Sequence, residues 1–204
     1  MNRPRRPAQL TPEQIELIEG EADTAAISEL AHTSAQAIVR IGSLRQEPDE
    51  VITRIVDLIQ SEGIDVLAES WVHSPEDSLP GILWRGYLLH EWLRRFPLEA
   101  RERFAAARCA MREDSGQQQD LVAGPNEVYQ SWAEVFQGNY TGDFAQVLHI
   151  SARFTDFIGR VQPVWINDDG HPLATEVTRR DTAMLRTSQE FWQAEQLLDS
   201  GQLN

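Results

Sequence analysis

The sequence has 204 residues, of which 41% are hydrophobic and 25% charged, and its formal net charge at pH 7 is −14. This length and apolar fraction are typical of one globular domain with a sizeable core, and no apolar run approaches the roughly 18 residues that a membrane span needs. The single cysteine, Cys109, excludes an intramolecular disulfide and a cysteine-rich zinc site. All 18 basic residues are arginine, which excludes Schiff-base lysine and P-loop lysine chemistry.

The first ten residues carry three arginines and are not followed by the apolar segment of a secretory signal. We expect residues 1–10 to be a disordered basic arm and residues 11–204 to form a single helical domain. The lack of a signal and of a membrane-length segment favours a cytoplasmic protein.

Helix-start signals and apolar spacing divide the first part of the chain into helices. Thr11 and Pro12 begin one helix that runs to about Gly20. A second helix begins near residue 23, and one of its faces carries Ile27, Leu30, Ser34, Ile38 and Ile41. A third helix spans about 49–62 and ends at Gly63, and a short helix follows over 65–73.

The segment 82–96 is the most apolar helix of the chain. Its apolar residues fall on nearly every side, with a thin polar strip through Gly86, His90 and Arg94. A helix of this kind is typical of the centre of a bundle. Pro97 then forces a break, and the next helix, to about residue 113, has an inner stripe of Ala100, Phe104, Ala107 and Met111.

The second half continues in the same way. Pro125 opens a helix whose inner side is Val128, Trp132, Val135 and Phe136, and Asp143 caps the next one. That helix has the inner stripe Phe144, Val147, Leu148, Ser151, Phe154, Ile158 and Val161. Residues 164–173 are the one segment where a small hairpin competes with helix. The last helix, about 175–200, repeats every seven residues Val177, Met184, Phe191 and Leu198, which predicts a bundle face or a dimer seam. The fold class is therefore all-α, a single-domain bundle of about seven to eight helices.

The stretch from Ser78 to Leu89, with Trp92, Arg94 and Arg95 after it, resembles a recurring segment of uncharacterised helical proteins of actinobacteria, and 138–154 is similar to a second segment. Together they cover about a quarter of the chain. The resemblance implies a packing motif and brings no catalytic residue, because no activity is assigned to that family.

Arg85 and His90 are the first candidate site residues, because they lie on the most apolar helix. A buried charge needs a partner, and Glu29 or an acid of the last helix could supply one. A polar cluster around Arg85 and His90 would be structural or would line a ligand pocket. Trp165 lies in a predicted loop and is the third candidate for ligand contact.

A metal site is the second possibility. Glu29 and His32 have the Glu-x-x-His spacing of carboxylate-bridged metal sites in helical bundles. Such sites need two of these motifs, and the chain has only one. The competing interpretation is a pair of boundary residues on a helix surface.

Three function classes follow from these observations. We expect a noncatalytic interaction or regulatory protein, with no cofactor, that binds a protein partner or forms a homodimer through the last helix. The first alternative is a metal- or small-molecule-binding bundle. The second is nucleic-acid binding through the arginines between Arg94 and Arg112, which the net negative charge disfavours.

Overall fold

The computed structural model describes residues 21–41, 50–114, 122–138, 140, 142–160 and 174–203. These residues form eight helices and no strand, so the predicted all-α single-domain bundle is confirmed. The predicted helix 11–20, the basic arm 1–10 and the competing hairpin at 164–173, with Trp165, lie outside the described residues. The helices are α1 (Glu21–Ile41), α2 (Glu50–Glu62), α3 (Asp65–Trp71), α4 (Leu79–Arg95), α5 (Pro97–Asp114), α6 (Pro125–Phe136), α7 (Phe144–Gly159) and α8 (Ala174–Asp199).

Local chemistry sets several of these boundaries. The Ser78 hydroxyl accepts a hydrogen bond from the Gly81 N–H at 3.3 Å and begins α4. The Asp143 carboxylate accepts from the Ala145 N–H at 3.0 Å and begins α7. After α2 and α6, Gly63 and Gly138 have φ values of 88° and 68°. This left-handed conformation is one that glycine adopts without steric cost.

One continuous apolar core joins the helices, and α4 runs through it. Ile82 and Leu83 are fully buried, and Leu89 and Leu93 nearly so. The thin polar strip does not mark the exposed side of α4, because Gly86 and His90 face the core while Leu88 is 43% exposed. The reason is that glycine has no side chain, so the Trp132 ring of α6 packs directly on the backbone at Gly86.

Two predicted stripes extend beyond the packed part of their helices. On α1 burial begins at Ala31 and continues through Ser34, Ala35 and Ile38, whereas Ile27 and Leu30 are about half exposed. On α5 the stripe holds at Ala100 and Ala107, but at its far end Met111 is exposed. Periodicity gives the direction of an inner face and does not give the length over which a neighbour covers it.

The last helix packs along α7, and the two make the most extensive helix contact in the described structure. Phe191 is fully buried, and Met184 and Leu198 pack against the core. The seven-residue repeat therefore forms a face of the bundle from Met184 onward. No helix within the described ranges combines the length and apolarity that crossing a membrane requires.

Two buried tryptophans are anchored in the same way. The Trp71 indole N–H donates to the Ser34 hydroxyl at 3.0 Å, and that of Trp132 donates to the Ser151 hydroxyl at 2.8 Å. Each serine donates in turn to a carbonyl of its own helix. All four side chains are fully buried, so these hydrogen bonds satisfy polar groups that water cannot reach.

Replacing Ser151 by alanine is expected to lower the free energy of unfolding by about 1–3 kcal/mol, because the Trp132 N–H then stays buried without an acceptor. Chemical denaturation followed by circular dichroism measures this. Ser200→Ala is the matched control, since its exposed hydroxyl also donates to a helix carbonyl. Equal effects of the two substitutions would contradict the anchoring role of Ser151.

Candidate ligand-binding cleft

Arg85, the first predicted site residue, belongs to a closed ring of four charges. Its Nε donates to Glu190 Oε2 at 2.5 Å and its Nη2 to Glu76 Oε1 at 3.2 Å. Arg186 donates to the same two carboxylates, to Glu190 Oε1 at 2.9 Å and to Glu76. Glu190 lies on α8, so the required partner does come from the last helix. Every charge in the ring is opposed by two of the opposite sign, which makes it a structural tie between α4 and α8.

His90, the second predicted site residue, lies in different surroundings. It is 91% buried, and its ring stacks on Tyr129 with centroids 4.8 Å apart and planes 8° apart. Its Nδ1 is 3.7 Å from Glu91 Oε1 and makes no hydrogen bond in the described structure. Burial lowers the pKa of His90, and Glu91 opposes this shift. Arg85 contacts Glu76 and Glu190, whereas the His90 ring contacts Tyr129 and Phe136. The two side chains therefore do not form one cluster.

The predicted metal pair does not gain further ligands. His32 Nδ1 lies 2.9 Å from the Ser28 carbonyl of its own helix, and Glu29 is exposed. Among the described residues, no group of three or more His, Cys, Asp or Glu side chains could hold a metal ion. The metal site stays a prediction.

A cleft of about 540 Å³ opens where the C-terminal end of α4 meets the first turns of α5 and α6. Such a volume is within the range of small-molecule sites. The lining contains two arginines and no carboxylate, in a protein whose net charge is −14. The lining residues are Leu93, Arg94, Pro97, Ala100, Arg101, Pro125, Asn126, Tyr129 and Gln130.

The guanidinium groups at the cleft outnumber the carboxylates that pair with them. Arg94 binds both oxygens of Glu91, at 2.7 and 2.8 Å, and Arg95 donates to the same carboxylate at 2.9 Å. The hydrogen bond from Arg94 lowers the pKa of Glu91, which keeps that carboxylate ionised. One carboxylate thus serves two guanidinium groups. Arg101 adds a third, and its contact with the Asn126 side-chain oxygen, at 3.2 Å, neutralises no charge.

Two helix N-termini border the cleft, and each first turn also carries one acid, Glu99 in α5 and Glu127 in α6. Pro97 is the first residue of α5 and Pro125 the first residue of α6, and both line the cleft. The residue before α6 is Gly124, which has no side chain to cap the helix. The first turn of a helix carries unsatisfied N–H groups and about half a positive charge, which favours anions. Tyr129 forms part of the wall and is held from behind by the buried His90 ring.

The arginines predicted as a nucleic-acid surface are divided among different places. Arg94 and Arg101 line the cleft, Arg95 pairs with Glu91, and Arg103 lines a second, smaller cavity with Trp92 and Phe96. Among the cleft residues, Tyr129, Asn126 and Gln130 were not predicted from the sequence. The signal in the sequence that could have pointed to the cleft is that two helices, beginning at Pro97 and Pro125, start with proline, the first of them close to arginines.

No family model, curated protein or solved structure matches this chain. The resemblance to actinobacterial helical proteins therefore stays a prediction. An all-α bundle by itself implies no particular activity.

Proposed function

We propose that this chain is a noncatalytic helical binding protein, and that the cleft between α4, α5 and α6 takes a small anionic ligand such as a carboxylate or a phosphate. The observation that carries the proposal is the lining: two arginines and the starts of two helices, with no carboxylate, in a strongly acidic chain. An acidic protein repels anions at long range. A cleft that gathers positive groups differs from the rest of this acidic protein, and binding of an anion would explain the difference.

The side chains of the lining suit the holding of a ligand. A guanidinium has five N–H donors, and Arg94 uses two of them on Glu91, so three remain. Arg101 can add a fork of parallel donors, the geometry that matches carboxylate and phosphate oxygens. The Asn126 and Gln130 amides can orient the rest of the ligand by hydrogen bonds, and Tyr129 offers it an apolar wall.

The size of the cleft favours a small ligand over a polymer. Nucleic acids are held by arginines that follow a backbone over many phosphates. Here Arg94 and Arg101 line the cleft, whereas Arg103 lines a separate cavity. Arg95 pairs with Glu91. The noncatalytic part of the proposal is supported by the position of His90, which is buried and stacked behind the Tyr129 wall and does not line the cleft.

The test is isothermal titration calorimetry of the whole chain with inorganic phosphate and with benzoate, at low salt. We expect at least one of them to bind, more weakly as salt is added. Arg101→Ala should cost about 1.5–3 kcal/mol of binding free energy, which is roughly a tenfold to hundredfold rise in Kd. Arg54→Ala is the matched control, because Arg54 is exposed and paired with Glu50 on α2.

Two results would contradict the proposal. The first is that neither anion binds the unaltered chain, and the second is that Arg101→Ala and Arg54→Ala change the affinity equally. A fluorescein-labelled DNA duplex is titrated at the same salt. Binding of the duplex without binding of either small anion would favour the nucleic-acid alternative.

A further inference from the structure

A different concave surface lies on the C-terminal half of α8, and it shares no residue with the anion cleft or with the smaller Arg103 cavity. It is a groove of about 660 Å³, and each of its lining side chains is uncharged. Four of the seven are glutamine: the groove is lined by Gln189, Trp192, Gln193, Gln196, Leu197, Ser200 and Gln202. In a chain with 25% charged residues, a surface groove without a charge is a distinctive local composition.

Helix geometry and one turn bring these side chains together. Gln189, Gln193 and Gln196 are four and three residues apart, so they follow one side of α8 with Trp192 among them. Gln202 comes from the segment after the helix. Gly201 has a φ of 69°, and the Gln202 N–H donates to the Leu197 carbonyl at 2.8 Å. This turn places Gln202 in the lining of the groove.

The exposed tryptophan is held in one orientation from behind. Trp192 is 36% exposed, and the His149 ring of α7 meets it edge to face, with planes 87° apart and centroids 5.1 Å apart. His149 is fixed in turn, because its Nδ1 lies 3.1 Å from Glu195 Oε1. An aromatic ring fixed in this way offers a flat apolar surface at little entropic cost on binding.

The glutamine amides are available to a ligand. Within the described part of the chain, none of the four side-chain amides makes a hydrogen bond with another residue. An amide carries both donors and an acceptor, so it can match a group that also does both. Hydroxyl groups have this property, whereas carboxylates and phosphates accept only and are bound best by cations.

We infer that this groove, defined by Trp192 and the four glutamines, binds a neutral polyhydroxylated ligand, a sugar, whose C–H face lies on Trp192 while its hydroxyl groups bond to the amides. The site is independent of the proposed anion cleft, because the two share no lining residue.

The indole N–H signals of the ¹⁵N-labelled full chain test this inference by nuclear magnetic resonance. Six tryptophans give six such signals, and the signal missing from Trp192→Phe is that of Trp192. Maltose and cellobiose are added up to about 50 mM, because an open groove with one platform supports affinities in the millimolar range. We expect one of them to move the Trp192 signal in a saturable way, while the signals of the buried Trp71 and Trp132 stay in place.

Substitutions in the groove then separate binding from incidental contact. Gln193→Ala combined with Gln196→Ala is expected to raise Kd about tenfold, since each lost hydrogen bond contributes about 1 kcal/mol or less. Gln146→Ala, an exposed glutamine on α7, is the matched control and should change nothing. The Arg101→Ala variant should also bind the sugar unchanged.

The inference is overturned if neither sugar moves the Trp192 signal, or if the double glutamine variant binds as tightly as the unaltered chain. A capped tetra-alanine peptide is titrated in parallel, because peptide bonds also pair with amides. Should the peptide alone move the Trp192 signal, the groove would be a peptide site and the assignment to sugars would be wrong.

Discussion

Replacing Gly86 by alanine is expected to destabilise the protein by about 3 kcal/mol, although only one methyl group is added. A Cβ at this position would lie 2.2 Å from the Trp132 ring. That ring has no room to move, because Trp132 is fully buried among other aromatic rings and hydrogen-bonded to Ser151. The effect is opposite in sign to helix propensity, by which alanine is favoured over glycine by about 1 kcal/mol within a helix.

Urea denaturation of Gly86→Ala and of Gly124→Ala provides the comparison. A Cβ at Gly124 meets nothing within 4 Å, so this control is expected to change the free energy of unfolding by less than about 1 kcal/mol. A double-mutant cycle with Trp132→Leu then isolates the contact. If Gly86→Ala were as destabilising beside leucine as beside tryptophan, the steric explanation would fail.

The second large effect concerns the ring of four charges. Glu190→Ala is expected to cost about 3 kcal/mol, because it leaves Arg85 and Arg186 sharing only Glu76. Glu190 is 9% exposed and Arg85 23% exposed at the side chain, so water compensates the loss only in part. Thermal or urea unfolding of the variant measures the change.

Two further variants show whether the lost pairing is the cause. Glu50→Ala removes a carboxylate whose ion pair with Arg54 is 2.8 Å long but largely exposed, and it should cost less than about 1 kcal/mol. The double variant Arg85→Met and Glu190→Met should recover most of the lost stability, because it removes the buried carboxylate together with its partly buried partner. A double variant less stable than Glu190→Ala would show that the pairing is not what makes Glu190 important.

The helix boundaries were predictable because the groups that set them are close in sequence. The Asp143 cap and the Gly63 and Gly138 ends involve residues within one turn of each other. The inner face of α6 was also predictable, since Val128 and Trp132 stand against polar residues on the opposite side.

The orientation of α4 was not predictable to the same degree. A helix that is apolar on nearly every side gives periodicity no direction to report. Its orientation depends on which surface fits a neighbour, and here the gap at Gly86 accepts Trp132, which is 46 positions further along the chain.

The candidate cleft was also predicted only in part. Arg94 and Arg101 were singled out from the sequence as positively charged, but they were assigned to nucleic-acid binding. Tyr129 and Asn126 could not be found, because the cleft exists only where the ends of three helices meet. For Arg85 the need for a carboxylate partner followed from physics alone, and Glu29 and the acids of the last helix were the alternatives. The choice of Glu190 depended on the rotation of that helix.

The ring that links Glu76, Arg85, Arg186 and Glu190 also bears on how the chain matures during synthesis. Arg85 and its main partner Glu190 are about 100 residues apart in sequence. Phe191, which contacts Trp132, is likewise synthesised long after the first helices. A nascent chain that ends before α8 therefore carries Arg85 without its main carboxylate and an open apolar slot beside Trp132. The interior is therefore completed only after α8 has left the ribosome. Until then the apolar surface beside Trp132 stays exposed, and surfaces of this kind are what chaperones bind.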